Sequence, residues 1–144
     1  MATTMNETAS NETAMTETQI SEPSLRVNSE RSQQLAFAAA RAAEDNRGQN
    51  VVVLDMREQT AIFDFFIIAT GTSGRQLRAI GDAIDDVLQK ELGGRRYGTE
   101  GYQDSHWILL DYGSVVVHLF DEQRRDYYRL EDLWAGAKKV EWKA

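Results

Sequence analysis

Trp107-Ile-Leu-Leu-Asp-Tyr112-Gly113-Ser114-Val115-Val-Val-His118-Leu-Phe120 is the stretch from which the fold follows. Two apolar runs flank Gly113-Ser114, the Gly-X form of a two-residue turn, so the segment reads as a hairpin of antiparallel strands. Side chains alternate between the faces of a strand. One face therefore carries Ile108, Leu110, Tyr112, Val115, Val117 and Leu119; none is charged, and this face turns to the core. The other carries Trp107, Leu109, Asp111, Val116, His118 and Phe120. A two-residue turn pairs Trp107 with Phe120, Leu109 with His118, and Asp111 with Val116. The mixed face has two readings. In one, a helix covers it and His118 is a core histidine satisfied by Asp111 diagonally across the pair. In the other it binds a partner, since a Trp anchor beside a few polar groups is typical of interface hot spots. Composition does not separate them.

Upstream, Ile62 to Thr70 is nearly all apolar, as expected of a strand covered on both faces, and Gly71-Thr72-Ser73-Gly74 breaks it. Val51 to Met56 is a β-branched strand before it. Two helices frame these strands. The first follows the cap-like Asn28-Ser29-Glu30, with Leu35, Ala38, Ala39, Ala42 and Ala43 on one stripe and Gly48 at its end. The second runs from Arg75 to about Leu92, with Leu77, Ile80, Ile84, Val87 and Leu88 inward. A short extended segment follows at Tyr97 to Gly101. After the hairpin, one helical stretch holds Tyr127, Leu130, Leu133, Trp134 and Ala137. The order gives an α/β domain, a mixed β-sheet of four to five strands flanked by helices, over residues 28–144. Residues 1–27, rich in Thr, Glu, Asn and Ser, read as a disordered acidic tail.

Composition bounds the function. The chain of 144 residues has no cysteine, which removes disulfides, zinc-thiolate sites and thiol nucleophiles. No apolar run is long enough to span a membrane, and the N-terminal residues read as neither secretory signal nor transit peptide, so a cytoplasmic protein is expected. The net charge of -7 suits a basic protein better than a phosphate backbone.

Several catalytic arrangements can be weighed. Gly71-Thr72-Ser73-Gly74 opens a helix, where backbone N–H groups could cradle a phosphate, but the spacing fits neither a Walker loop nor a dinucleotide fingerprint. Ser73 reads better as a helix cap. Metal-dependent nucleotidyl transfer needs paired carboxylates, and the hairpin offers Asp111 alone. Asp82, Asp85 and Asp86 share a helix face that reads as solvated. Ser73 or Ser114 with His118 and Asp111 lacks any nucleophile-elbow pattern. Arg124, Arg125 and Arg129 lie among Tyr127, Tyr128 and three carboxylates, which reads as a charge-balanced helix rather than an RNA contact. Neither a metal nor a cofactor is expected.

Asp64 to Ser73, Glu100-Gly101, Trp107 to Gly113 and Val117 to Phe120 resemble, in order, the signatures of the ribosomal silencing factors, the RsfS or Iojap family. Arg125, Tyr127-Tyr128, Leu130-Glu131 and Leu133-Trp134 are similar to its C-terminal motif. The resemblance covers about residues 30–137. It implies a nucleotidyltransferase-like fold without the catalytic carboxylates and a non-enzymatic repressor of translation. It further implies binding of the large ribosomal subunit through ribosomal protein L-fourteen, with little direct nucleic-acid contact and a homodimer allowed. The bound factor would block joining of the small subunit when nutrients are short. Carried onto this chain, the partner-binding residues are Glu100, Gly101, Trp107, Leu109, Asp111, His118, Phe120, Arg125 and Tyr128. Two positions depart from the family pattern: Ser114 stands where an acidic residue usually follows the hairpin glycine, and Gly136 where one follows the tryptophan.

Overall fold

In the computed structural model, which describes residues 22–143 and side chains from residue 28 on, six strands form one mixed sheet. They are β1 (Gln49–Asp55), β2 (Phe65–Gly71), β3 (Gly98–Glu100), β4 (Trp107–Asp111), β5 (Val115–Asp121) and β6 (Lys138–Val140). Their spatial order is β3-β4-β5-β2-β1-β6. The two most apolar strands, β2 and β5, lie side by side in parallel, with Phe65 opposite Val115 and Gly71 opposite Asp121. Every residue of β2 is buried, as its unbroken apolar run requires. The hairpin has the register expected of its two-residue turn: Trp107 faces Phe120, Leu109 faces His118 and Asp111 faces Val116. Gly113 takes a positive φ of 85° at that turn, where a Cβ would be strained.

Helix α1 (Glu22–Asp45) and helix α2 (Gly74–Asp85), which continues into a wide π-helical turn at Asp86–Glu91, cover one face of the sheet. The alanines of α1 and the stripe Leu77, Ile80, Ile84 and Leu88 meet Phe65, Ile67, Val117, Leu119, Ile108 and Leu110 in the main core. Alanine suits this layer because its small side chain lets the helix approach the sheet closely. Ser73 caps α2 as expected, its Oγ accepting the Gln76 N–H at 3.1 Å. The opposite face meets a smaller apolar cluster, in which Phe66, Ile68, Val116 and Phe120 pack with Leu130.

Three features differ from the sequence reading. The sheet has six strands rather than four to five, because Lys138–Val140 pairs with β1, Val140 opposite Val53. This strand is three residues long and carries two lysines, the form in which a sheet edge is protected and therefore hard to read. The last helix is two: α3 (Glu122–Tyr128) and α4 (Leu130–Leu133), separated by Arg129 in the left-handed region at φ 47°, ψ 53°. Arginine gives no signal of such a break, which glycine or asparagine would. Helix α1 also starts upstream of the Asn28 expected to cap it, with Pro23 in its first turn, where a missing N–H costs nothing. The tail reading for residues 1–21 lies outside the described residues.

Ile67 has no exposed surface and sits mid-strand under both helices. Ile67→Ala is expected to lower unfolding free energy by about 2–5 kcal/mol, read by urea titration. A loss below ~1 kcal/mol would contradict this packing.

Candidate functional site

Among the described residues the second face of the sheet is only partly covered, and the uncovered part is a groove of about 650 Å³. Its floor is the mixed face of the hairpin. Strand β4 contributes Trp107, Leu109 and Asp111, and β5 contributes Val116 and His118. Strand β3 adds Glu100, which pairs with Leu109 and so shares its face, and Gly101 follows at the rim. Gly101 has φ 86°, and a Cβ there would collide with the Trp107 carbonyl, so its role is to let the chain turn against β4. Thr60, Ile62 and Phe63 form one wall, and Leu130 and Trp134 another. Among the described residues, the charged side chains lining the groove are Glu100 and Asp111, both acidic.

Trp107 is half-buried, its ring 4.9 Å from Phe120 and 4.7 Å from Tyr128. Its Nε1–H donates to His118 Nδ1 at 3.3 Å. His118 is itself buried, and its Nε2 finds no partner among the described residues. Loss of hydration lowers its pKa from the usual 6.5 to about 3, so the imidazole is neutral. The diagonal bond to Asp111 is absent. Asp111 Oδ1 instead accepts the Gly113 N–H at 2.8 Å and braces the hairpin turn.

Six of the residues expected from the sequence, Glu100, Gly101, Trp107, Leu109, Asp111 and His118, thus meet in one groove. The other three lie elsewhere. Phe120 has no exposed surface and supports the Trp107 ring from below. Tyr128 is exposed beside the groove and stacks on the outer side of Trp107. Arg125 is engaged within the fold, in a two-pronged pair with Glu131 (3.0 and 3.2 Å) and in bonds to Thr70 Oγ1 and the Asn50 carbonyl. Sequence reasoning missed Phe63, Phe66 and Ile62 as lining residues. Phe66 could have been found from alternation once β2 was known to pair with β5. Asp85, expected on a solvated face, takes hydrogen bonds from Tyr112 Oη (2.7 Å) and Arg96 (2.9 Å).

Residues 29–144 match the family model described as "Ribosomal silencing factor during starvation". The chain belongs to the ribosomal silencing factor family. It is 41% identical over 110 residues to "Ribosomal silencing factor RsfS" of Halalkalibacterium halodurans, covering 76% of this chain and 93% of that one. With "Protein Iojap, chloroplastic" of Arabidopsis thaliana it shares 35% identity over 121 residues, 83% of this chain and 50% of the plant protein. A crystal structure of a Chromobacterium violaceum protein superimposes with a TM-score of 0.68 at 37% identity, over 78% of this chain and 92% of the other. The fold is that of the silencing factors.

The two departures from the silencing-factor pattern have local counterparts. Ser114 Oγ lies 2.7 Å from Ser32 Oγ and ties the hairpin turn to α1. A Cβ on Gly136 would come within 2.9 Å of the Gln59 amide, so an acidic side chain there requires Gln59 to move.

The neutral, buried His118 has a consequence for stability. The unfolded chain protonates this group below pH 6.5, and the folded one resists until about 3, so stability falls as pH drops through that window. Each pH unit within it costs about 1.4 kcal/mol. His118→Leu is expected to flatten the fall in melting temperature between these two pH values, and an unchanged acid profile would contradict the burial.

Proposed function

We propose that this chain is a translation repressor that binds the large ribosomal subunit through ribosomal protein L-fourteen and sterically blocks joining of the small subunit, most of all under nutrient limitation. The observation that carries this reading is the uncovered apolar groove floored by the hairpin, because it is where residues of the family signatures meet. Its composition is that of a binding hot spot: aromatic anchors, Trp107, Trp134 and Phe63, around a few polar groups. Its charge also supports the choice of partner. A groove with two carboxylates and no cation, on a chain of net charge -7, favours a basic protein and steers the encounter. The action is one of occupancy. A rigid domain seated at the subunit interface excludes the second subunit without any bond being made or broken, and no cofactor takes part.

Co-sedimentation with separated subunits tests this directly. The protein should travel with large subunits and not with small ones. Added before the subunits are mixed, it should lower the yield of joined ribosomes; added afterwards, it should matter less. Equal binding to both subunits, or unchanged joining, would overturn the reading.

Trp107 separates binding from folding. It is half-buried, so Trp107→Ala should cost less than the 3–5 kcal/mol of a wholly buried aromatic, about 1–3 kcal/mol, and the variant should fold. Affinity for isolated L-fourteen should fall at least about tenfold, in the range of an interface anchor. A folded variant that binds like the wild type would remove Trp107 from the contact surface.

A further inference from the structure

His118 occupies the middle of β5 beneath the groove, and the state of its two ring nitrogens is fixed by their surroundings. Nδ1 accepts the Trp107 indole N–H at 3.3 Å. A neutral imidazole carries one hydrogen, so an accepting Nδ1 places that hydrogen on Nε2. Nε2 is buried and meets no acceptor among the described residues. An unpaired buried N–H opposes folding, and a leucine would fill much the same space without one. What the imidazole adds over leucine is the acceptor on Nδ1, directed at Trp107, whose ring reaches from the covered part of the sheet to its open part.

That indole is the link between core and surface. Below it lies Phe120, with no exposed surface; outside it lies Tyr128, half exposed, which meets the exposed Tyr127 edge-on at 5.1 Å. Stacking alone lets an indole slide and turn in its own plane, whereas a hydrogen bond to Nε1 fixes that rotation. We propose that His118 is a positioning residue: through Nδ1 it holds the Trp107 indole in the orientation that completes the groove floor and seats Tyr128, so the docking surface is preformed. The proposal rests on the groove being the partner-binding site. With only 5% of its surface exposed, His118 acts through Trp107 rather than by touching the partner. Its hydration loss keeps a proton from competing for Nδ1 near neutral pH. A floor already in place spares the entropy of ordering it on binding.

The test compares wild type, His118→Leu and His118→Asn in the full chain. Asparagine places its Oδ1 close to where Nδ1 stood and so keeps the acceptor. Three readouts are taken: the melting temperature, the affinity for isolated L-fourteen, and the Trp107 indole N–H signal by nitrogen-edited NMR, assigned by its loss in Trp107→Phe. His118→Leu should melt no lower than wild type at neutral pH. It should bind about tenfold more weakly, with its indole N–H moved upfield and exchanging faster with water. His118→Asn should recover the indole signal and most of the affinity. Wild-type affinity in His118→Leu, a loss of affinity with an unmoved indole signal, or equal losses in both variants would each overturn the proposal. If His118→Leu does not fold, the wild-type signal decides: a freely exchanging Trp107 N–H overturns it and a protected one supports it. Failure of the wild-type protein to bind L-fourteen at all would instead overturn the reading of the groove.

Discussion

Two apolar strands that run in the same direction cannot be joined by a turn. The chain that leaves β2 must cross over the sheet before it returns as β5, and here it does so through α2, β3 and β4. Both strands are buried along almost their whole length, so both faces of the sheet need cover. The crossover supplies α2 to one face, where α1 joins it, and that layer is complete. Of the described residues, the second face receives two short helices and the segment around Phe63. Helices of seven and four residues cannot roof a sheet of this width. The groove is the part they leave open.

The two readings of the mixed hairpin face were posed as alternatives, and the structure divides the face between them. Val116, His118 and Phe120, near the parallel pair, lie under cover. Trp107 and Leu109, one strand further toward the edge, are half exposed. A single strand step separates core from surface here, and Trp107 spans it, with its ring on Phe120 and its N–H on His118. Strand position decides which apolar side chains of this face are packing and which are available; Asp111, on β4 with Trp107, is buried at the turn it braces. A phenylalanine that shares a signature with the tryptophan can therefore support the groove without lining it.

This also explains what was legible in the sequence. The hairpin register followed from a period of two and a turn of two residues, both local, and it came out residue for residue. The stripes of α1 and α2 were local too. What escaped depended on distant partners or on backbone states that side chains do not announce. Lys138–Val140 is a strand only because β1 has a free edge beside it. Arg129 breaks the last helix in a conformation no arginine advertises, and that break is what turns Leu130 and Trp134 toward the groove. The floor of the site was therefore readable and its walls were not. Arg125 shows the same limit from another side: its place in a motif suggested a contact, and its neighbours Thr70 and Asn50 are far away in sequence.

Those neighbours bear on chemistry as well. In open α/β sheets, ligands collect outside the carboxyl ends of parallel strands where the following helices go to opposite faces. Here β2 leads to α2 on one face, and β5 leads to α3 on the other, so the crevice at Gly71 and Asp121 has that form. The chain's own groups take it up. Ser73 Oγ holds the Gln76 N–H, the Gln76 side chain accepts from the Thr72 N–H and hydroxyl, and Asp121 accepts from Arg124 N–H. On the far side the Arg125–Glu131 pair binds Thr70 at the strand's end. Two backbone donors at this turn, the Thr72 and Gln76 N–H groups, are thus already paired, and the Arg125 guanidinium is already paired with Glu131. A ligand entering the crevice would have to displace these bonds, whereas the groove along the hairpin face, from Trp107 to Asp111, is lined by none of the groups that make them.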